Sequence, residues 1–126
     1  MESTFADKAS ENLRAANLLF EQEMYNASAN RAYYAALQAA VAALEKAGIR
    51  FDRINHETVQ ARFNTELIRR RKTCPGRFRS HLSDLQLARN VADYGSRNLS
   101  NKLAKRQLNR AEEFVEALQK EKRHVQ

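Results

Sequence analysis

Arg89, Asn90, Asp93 and Tyr94 bring a guanidinium, an amide, a carboxylate and a phenol into a little more than one helical turn. A second set, Arg31, Tyr34 and Gln38, recurs at spacings of three and four within an alanine-rich stretch, Asn30-Arg31-Ala32-Tyr33-Tyr34-Ala35 onward. The chemistry open to such groups is the holding of an anion. A guanidinium presents a planar fork of donors that matches phosphate oxygens. His56 adds a group that titrates near neutral pH. Two readings of it stand side by side: a packing residue in a first helical turn, or a ligand or acid–base group.

A third set is purely electrostatic. Between Arg62 and Arg79 there are seven cations, Arg62, Arg69, Arg70, Arg71, Lys72, Arg77 and Arg79, against Glu66 alone, a net +6 of the chain's +7. Cations in a last helical turn complement the helix dipole, but Arg69, Arg70, Arg71 and Lys72 in succession exceed what that requires. The patch of Arg69 to Lys72 with Arg77 and Arg79 is either a solvated loop or a guide for a phosphate backbone.

Other chemistries are poorly served. Gly48, Gly76 and Gly95 are far apart, so no glycine-rich phosphate loop exists. His56, His81, His124 and the single Cys74 show no zinc-ligand spacing, and neither a metal nor another cofactor is expected. One cysteine forms no internal disulfide, no apolar run approaches the roughly 18 residues of a membrane span, and no apolar segment near Met1 resembles a signal peptide. A cytoplasmic protein of one domain, residues 1–126, is expected.

The elements that must position these residues are helices. One proline, many alanines and little β-branching favour an all-α chain. Breaks fall near Glu23-Met24, after Gly48, at Thr73-Cys74-Pro75-Gly76 and at Gly95. The first helix is expected over about 5–22, with Thr4 and Asp7 as a capping box and Phe5, Ala9, Leu13, Ala16 and Phe20 as its stripe. The second, over about 26–47, holds ten alanines and so reads as the central helix, with Gly48 beyond its end. The third starts near Asn55 and ends in the basic run, with Val59, Phe63 and Leu67 on its apolar face and His56 one turn earlier. The fourth covers about 78–94, with Phe78, Leu82, Leu85 and Ala92 inward. The fifth begins near Ser100 and closes in a frayed basic tail, 120–126. Five amphipathic helices with short links imply an antiparallel up-and-down bundle of four to five helices.

Two helices break their own pattern. On the second, Tyr33, Leu37, Ala40 and Leu44 form a core face, while Ala27, Arg31, Tyr34, Gln38 and Val41 lie about 100° away on a mixed face. Buried polar groups need partners, so Arg31, Tyr34 and Gln38 look into a polar seam, or Tyr34 is a core tyrosine with Arg31 at the bundle edge. On the fourth, Arg89 falls within the apolar stripe, where a charge needs a partner or water. Asp93 one turn on supplies only about 0.3 kcal/mol in that order. Arg89 and Asp93 are therefore expected to reach another helix, a subunit or a ligand, with a structural ion-pair network as the alternative.

In their order and spacing these residues resemble a known family. Asn30-Arg31-Ala32-Tyr33-Tyr34-Ala35, then Gly48, His56 and Phe63, then Arg89-x-x-Ala92-Asp93-Tyr94-Gly95, look like the HEPN superfamily over about residues 5 to 120. The branch resembled is its small, single-domain, largely uncharacterised prokaryotic proteins. The resemblance implies a helical bundle that pairs into a homodimer. It implies RNA or nucleotide binding, and in many members a toxin paired with a minimal nucleotidyltransferase as antitoxin. The RNase members carry an Arg, often with a polar residue after it, and a His about four to six residues later. Arg89-Asn90 matches the first part, but no histidine follows until His124. Metal-independent cleavage needs a group that moves the ribose 2′-OH proton, which histidine does well and Asp93 or Tyr94 does poorly without a strong pKa shift. Arg89, Asn90, Asp93 and Tyr94 are thus candidates for catalysis only in a residual sense, and RNA or nucleotide binding is the expectation. The competing reading is a non-catalytic helical interaction module, working through self-association or a partner.

Overall fold

The computed structural model describes residues 4–124, with side chains as far as Gln119; the expected frayed tail falls in the part outside those described side chains. Among the described residues the chain is helical, without strands. Its α-helices are α1 (Phe5–Glu21), α2 (Tyr25–Lys46), α3 (His56–Arg62), α4 (His81–Tyr94) and α5 (Asn101–His124).

Local chemistry sets most of the ends. Thr4 and Asp7 exchange side-chain-to-backbone hydrogen bonds of 3.0 and 3.2 Å, the capping box expected for α1. Gly48 lies beyond α2 with φ +89°, a left-handed conformation that glycine adopts without a Cβ penalty. Asn55 Oδ1 accepts from the Thr58 amide and starts α3. At the end of α4 the Gly95 amide donates to the Val91 carbonyl at 2.9 Å, so close that a Cβ on residue 95 would lie 2.5 Å from that oxygen.

Two expected helices are composite. The third is α-helical only to Arg62 and continues as a π-helix, Phe63–Arg70, in which bonds widen to five residues, as in Arg71 N–H to Glu66 O. It also ends before Lys72, which turns away with φ +54°. The buried Glu66 carboxylate lies 3.1 Å from Arg70 and 3.8 Å from Arg71, tying the widened turn to its own cations. The fourth opens with a 3₁₀ turn, Gly76–Ser80, because the segment starts at Pro75 and closes with three-residue bonds such as Phe78 N–H to Pro75 O; α4 follows from His81.

Side-chain pairs give the topology. Asn12 meets Gln38, Tyr34 meets Arg89 while Asn30 meets Asp93, and His81 meets Glu113 while Asp84 faces Arg110. Residue numbers rise on one helix as they fall on the next, so α4 runs antiparallel to α2 and to α5. Asn17–Glu112 and Ser10–Gln119 make α1 and α5 antiparallel as well. The α1, α2, α4, α5 bundle is up-and-down, and α2 is its centre, touching every other helix. Its small side chains Ala29, Ala32, Ala35, Ala36 and Ala40 are buried and let the neighbours close in. Where α3's π extension and the 3₁₀ turn cover one side, Phe63, Phe78 and Phe114 are fully buried, with ring centroids 5.2 and 5.6 Å apart. Each such ring contributes about 1.5–3 kcal/mol by leaving water.

Candidate functional site

Arg89 is the hub of the polar seam. One turn of α4 presents it to the middle of α2, where its Nη2 donates to the Tyr34 hydroxyl at 3.2 Å. Its guanidinium carbon lies 5.9, 5.5 and 5.7 Å from the ring centres of Tyr33, Tyr34 and Tyr94, a cage of three phenols that favours a cation. Nε stands 2.9 Å from Asp93 Oδ2. That contact is an ion pair, not an aligned hydrogen bond, because Nε is buried and no acceptor lies in line with its N–H. Nη1 reaches the neighbouring Asn90 amide oxygen at 3.4 Å.

The seam continues as one chain of contacts. Asp93 accepts from Asn30 Nδ2 at 2.9 Å. Asn30 Oδ1 accepts from Nε and Nη2 of Arg31 at 3.1 and 2.6 Å. Arg31 Nη1 donates to Asn12 Oδ1, and Asn12 Nδ2 to Gln38 Oε1 at 2.7 Å. Arg31 also lies over the Tyr34 ring, 5.2 Å from its centre. Arg31, Tyr34 and Gln38 are half-buried, as a seam rather than a core requires. The charged members Arg31, Arg89 and Asp93 leave a net positive charge.

His56 joins this group from a third element. The first turn of α3 lays its imidazole parallel to the Tyr33 ring, centroids 5.3 Å apart, with Nδ1 hydrogen-bonded to the Tyr33 hydroxyl. Its edge faces Tyr34 at 6.4 Å. Burial, and then the charge of Arg89, lower its pKa below the ordinary 6.5, so the ring is neutral at pH 7. Tyr33, expected in the core, is 1% exposed and does both jobs: its ring packs inward and its hydroxyl holds the histidine.

The structure therefore brings together Arg31, Tyr34, Gln38, His56, Arg89, Asn90, Asp93 and Tyr94. The residue that sequence reading passed over is Asn12, which links Arg31 to Gln38. It lies three residues after Ala9 and four before Ala16, so a polar side chain beside the buried stripe of α1 was the available signal.

The basic patch lies elsewhere. Arg71 donates to the Ala47 carbonyl at the end of α2, about 20 Å along that helix from Tyr34. Arg70 and Arg71 face Glu66, and Arg77 faces Glu113 at 3.8 Å. Arg69, Lys72 and Arg79 are exposed and make no ion pair among the described residues. His81 is bound at both ring nitrogens, to Arg77 O and Glu113 Oε1, and is stacked on Phe114, so it anchors the 3₁₀ turn to α5.

Among the described residues no group of three His, Cys, Asp or Glu side chains could hold a metal, and no helix is long and apolar enough to cross a membrane. A cavity of about 430 Å³ opens between the ends of α1, α2 and α5, beside Phe5, Ala9, Ala43 and Leu118, and touches none of the seam residues.

The family model for the HEPN domain matches residues 3–122. No curated protein matches the sequence.

Proposed function

The chain belongs to the HEPN family, whose activities concern nucleotides and RNA, and from that premise we propose that it binds RNA or nucleotide phosphate at the seam between α2 and α4. The observation that carries this reading is Arg89. A guanidinium whose side chain is 17% exposed, caged by three phenols and set by Asp93 and Tyr34, is pre-organised for an anion at the edge of the bundle. Arg31 adds positive charge beside it, and the exposed Arg69, Lys72 and Arg79 form a separate cationic patch for another stretch of the same backbone. HEPN domains commonly dimerise, and pairing through α4 would set two such seams side by side. A minimal nucleotidyltransferase acting as antitoxin is the partner that accompanies this reading.

Binding is proposed rather than cleavage by the arrangement of the RNase members, since no histidine follows Arg89 before His124. Fluorescence anisotropy with single-stranded RNA tests the reading. Arg89→Ala is expected to weaken binding about tenfold or more. Arg69→Glu with Lys72→Glu is expected to flatten the salt dependence, by roughly one unit of slope for each cation that no longer meets a phosphate. Affinity unchanged by Arg89→Ala would remove the seam from the binding surface.

One observation favours the second reading, a non-catalytic interaction module. Leu87, Val91 and Tyr94 fall on one face of α4 at spacings of four and three, and are 64%, 42% and 77% exposed. An apolar stripe of that kind is a docking face in the making. The two readings separate on Arg89→Ala: the module reading has assembly lost and nucleic-acid affinity kept.

A further inference from the structure

His56 has an open position that His81 lacks. Both ring nitrogens of His81 are occupied. In His56, Nδ1 is held by Tyr33, whereas Nε2 has no partner among the described residues and is not sealed from solvent. Arg89 and His56 both lie against the rings of Tyr33 and Tyr34, and Arg89 is near enough for its charge to act on the imidazole, so an anion held by the guanidinium acts on the imidazole too. We propose that His56 is a proton-coupled ligand of the seam, taking up a proton as a phosphate monoester binds at Arg89, so that the site prefers a terminal phosphate to an internal diester. The inference rests on the binding reading above and names the ligand's chemistry.

The charge balance argues for the monoester. Arg31 and Arg89 against Asp93 leave one positive charge, which matches the single negative charge of a diester with His56 neutral. A monoester carries −1.5 to −2 at pH 7, and protonated His56 supplies the second positive charge. The titratable and charged groups around the imidazole are Tyr33, Tyr34 and, beyond it, Arg31 from α2, and Arg89, backed by Asp93, from α4; Glu57, the next residue on α3, is exposed, makes no hydrogen bond or ion pair with the described residues of the seam, and stays outside the balance. In the empty site burial and Arg89 hold the ring neutral. A bound phosphate offsets Arg89 and adds negative charge, reversing the electrostatic part of that effect. The proton comes from solvent and no covalent bond changes. Nε2 takes up the proton and donates it to the phosphate, and because both nitrogens of the cation carry a hydrogen, Nδ1–H donates to the Tyr33 hydroxyl. The phosphate's own second ionisation, near pH 6, acts in the opposite sense, releasing a proton on meeting cations. Net uptake therefore reports the histidine.

Isothermal titration calorimetry on the intact protein tests this at neutral pH, in two buffers of different ionisation enthalpy. The probes are one short oligouridine with a 5′-phosphate and the same oligouridine with a 5′-hydroxyl. The wild type is expected to bind the phosphorylated probe about tenfold more tightly and to take up a proton with it alone. His56→Gln is expected to retain the weaker affinity for both probes and to lose the preference and the uptake together. Equal affinity for the two probes, or uptake that survives in His56→Gln, overturns the inference and leaves phosphate binding at Arg89 standing. Binding of neither probe to the wild type overturns both. Should His56→Gln fail to fold, histidine-ring NMR titration of the wild type decides: a His56 pKa raised by the phosphorylated probe supports the inference, and an unmoved one overturns it.

Discussion

A lowered histidine pKa is a statement about folding as well as about a site. Burial and Arg89 hold His56 below its ordinary value in the folded chain, while the unfolded chain titrates near 6.5. As pH falls through about 6.5, the unfolded state binds a proton that the folded state resists, so unfolding becomes easier. This part of the stability is full above about pH 6.5, declines as pH falls toward the lowered folded-state value, and is constant below it. His56→Gln is expected to remove that decline, read as a urea midpoint that changes less between about pH 7.5 and about pH 5 than in the wild type. An identical pH slope in the two proteins would mean that the imidazole ionises freely and that the contact with Arg89 is weak. At this scale the sequence was informative about types and poor about partners. Arg89 in an apolar stripe announced that a partner must exist, but Tyr34, 55 residues away, is reachable only once α2 and α4 lie antiparallel.

At the scale of the element, the end of α4 matters most, because Asp93 and Tyr94 are its last turn. Gly95 has φ −77°, which any residue adopts, so its role is contact rather than backbone freedom. A methyl group there would press on the Val91 carbonyl that receives the Gly95 amide. Gly95→Ala is expected to cost about 1–3 kcal/mol and to loosen the last turn of α4. Thermal unfolding by circular dichroism reads the first effect, and hydrogen exchange at the Asp93 and Tyr94 amides the second. A melting point equal to the wild type would show that the turn absorbs the methyl at no cost. The helices as such were legible from periodicity, caps and breaks. The π extension of α3 was not, because Phe63, Leu67 and the cations fit an ordinary helical wheel equally well. What distinguishes the two is the burial of Glu66 beside Leu67 and Ile68, a matter of what packs on that side.

At the scale of the whole molecule, the proposed self-association is assigned to one face of α4. The exposed stripe of Leu87, Val91 and Tyr94 runs along the same helix as Arg89, so pairing there would place the two seams near one another. Val91→Glu puts a charge in the middle of the stripe without touching the seam's hydrogen bonds. It is expected to lower the molar mass seen by light scattering from that of a dimer to that of the 14.5 kDa chain, with the helical circular dichroism signal intact. A wild type that is already monomeric at the same concentration removes the stripe from any self-association. The basic patch is separate at this scale too. About 20 Å of α2 lie between its anchor at Ala47 and Tyr34, so under the proposed RNA binding the two regions meet different phosphates of one strand.

The sequence by itself determined the class of fold, the central place of α2, the four breaks and the family resemblance. These follow from short-range causes: alanine's propensity, the period of apolar residues, a capping box, and a glycine where a helix stops. It also marked Arg31, Tyr34, Gln38, Arg89 and Asp93 as side chains that needed partners. The tertiary structure decided which partners they have. It turned His56 from a residue with two readings into a neighbour of Arg89, recruited Asn12 from α1, and separated the basic run from the seam. Those outcomes depend on how antiparallel helices set their register, and register is fixed by the packing of the whole core rather than by any single stretch of chain.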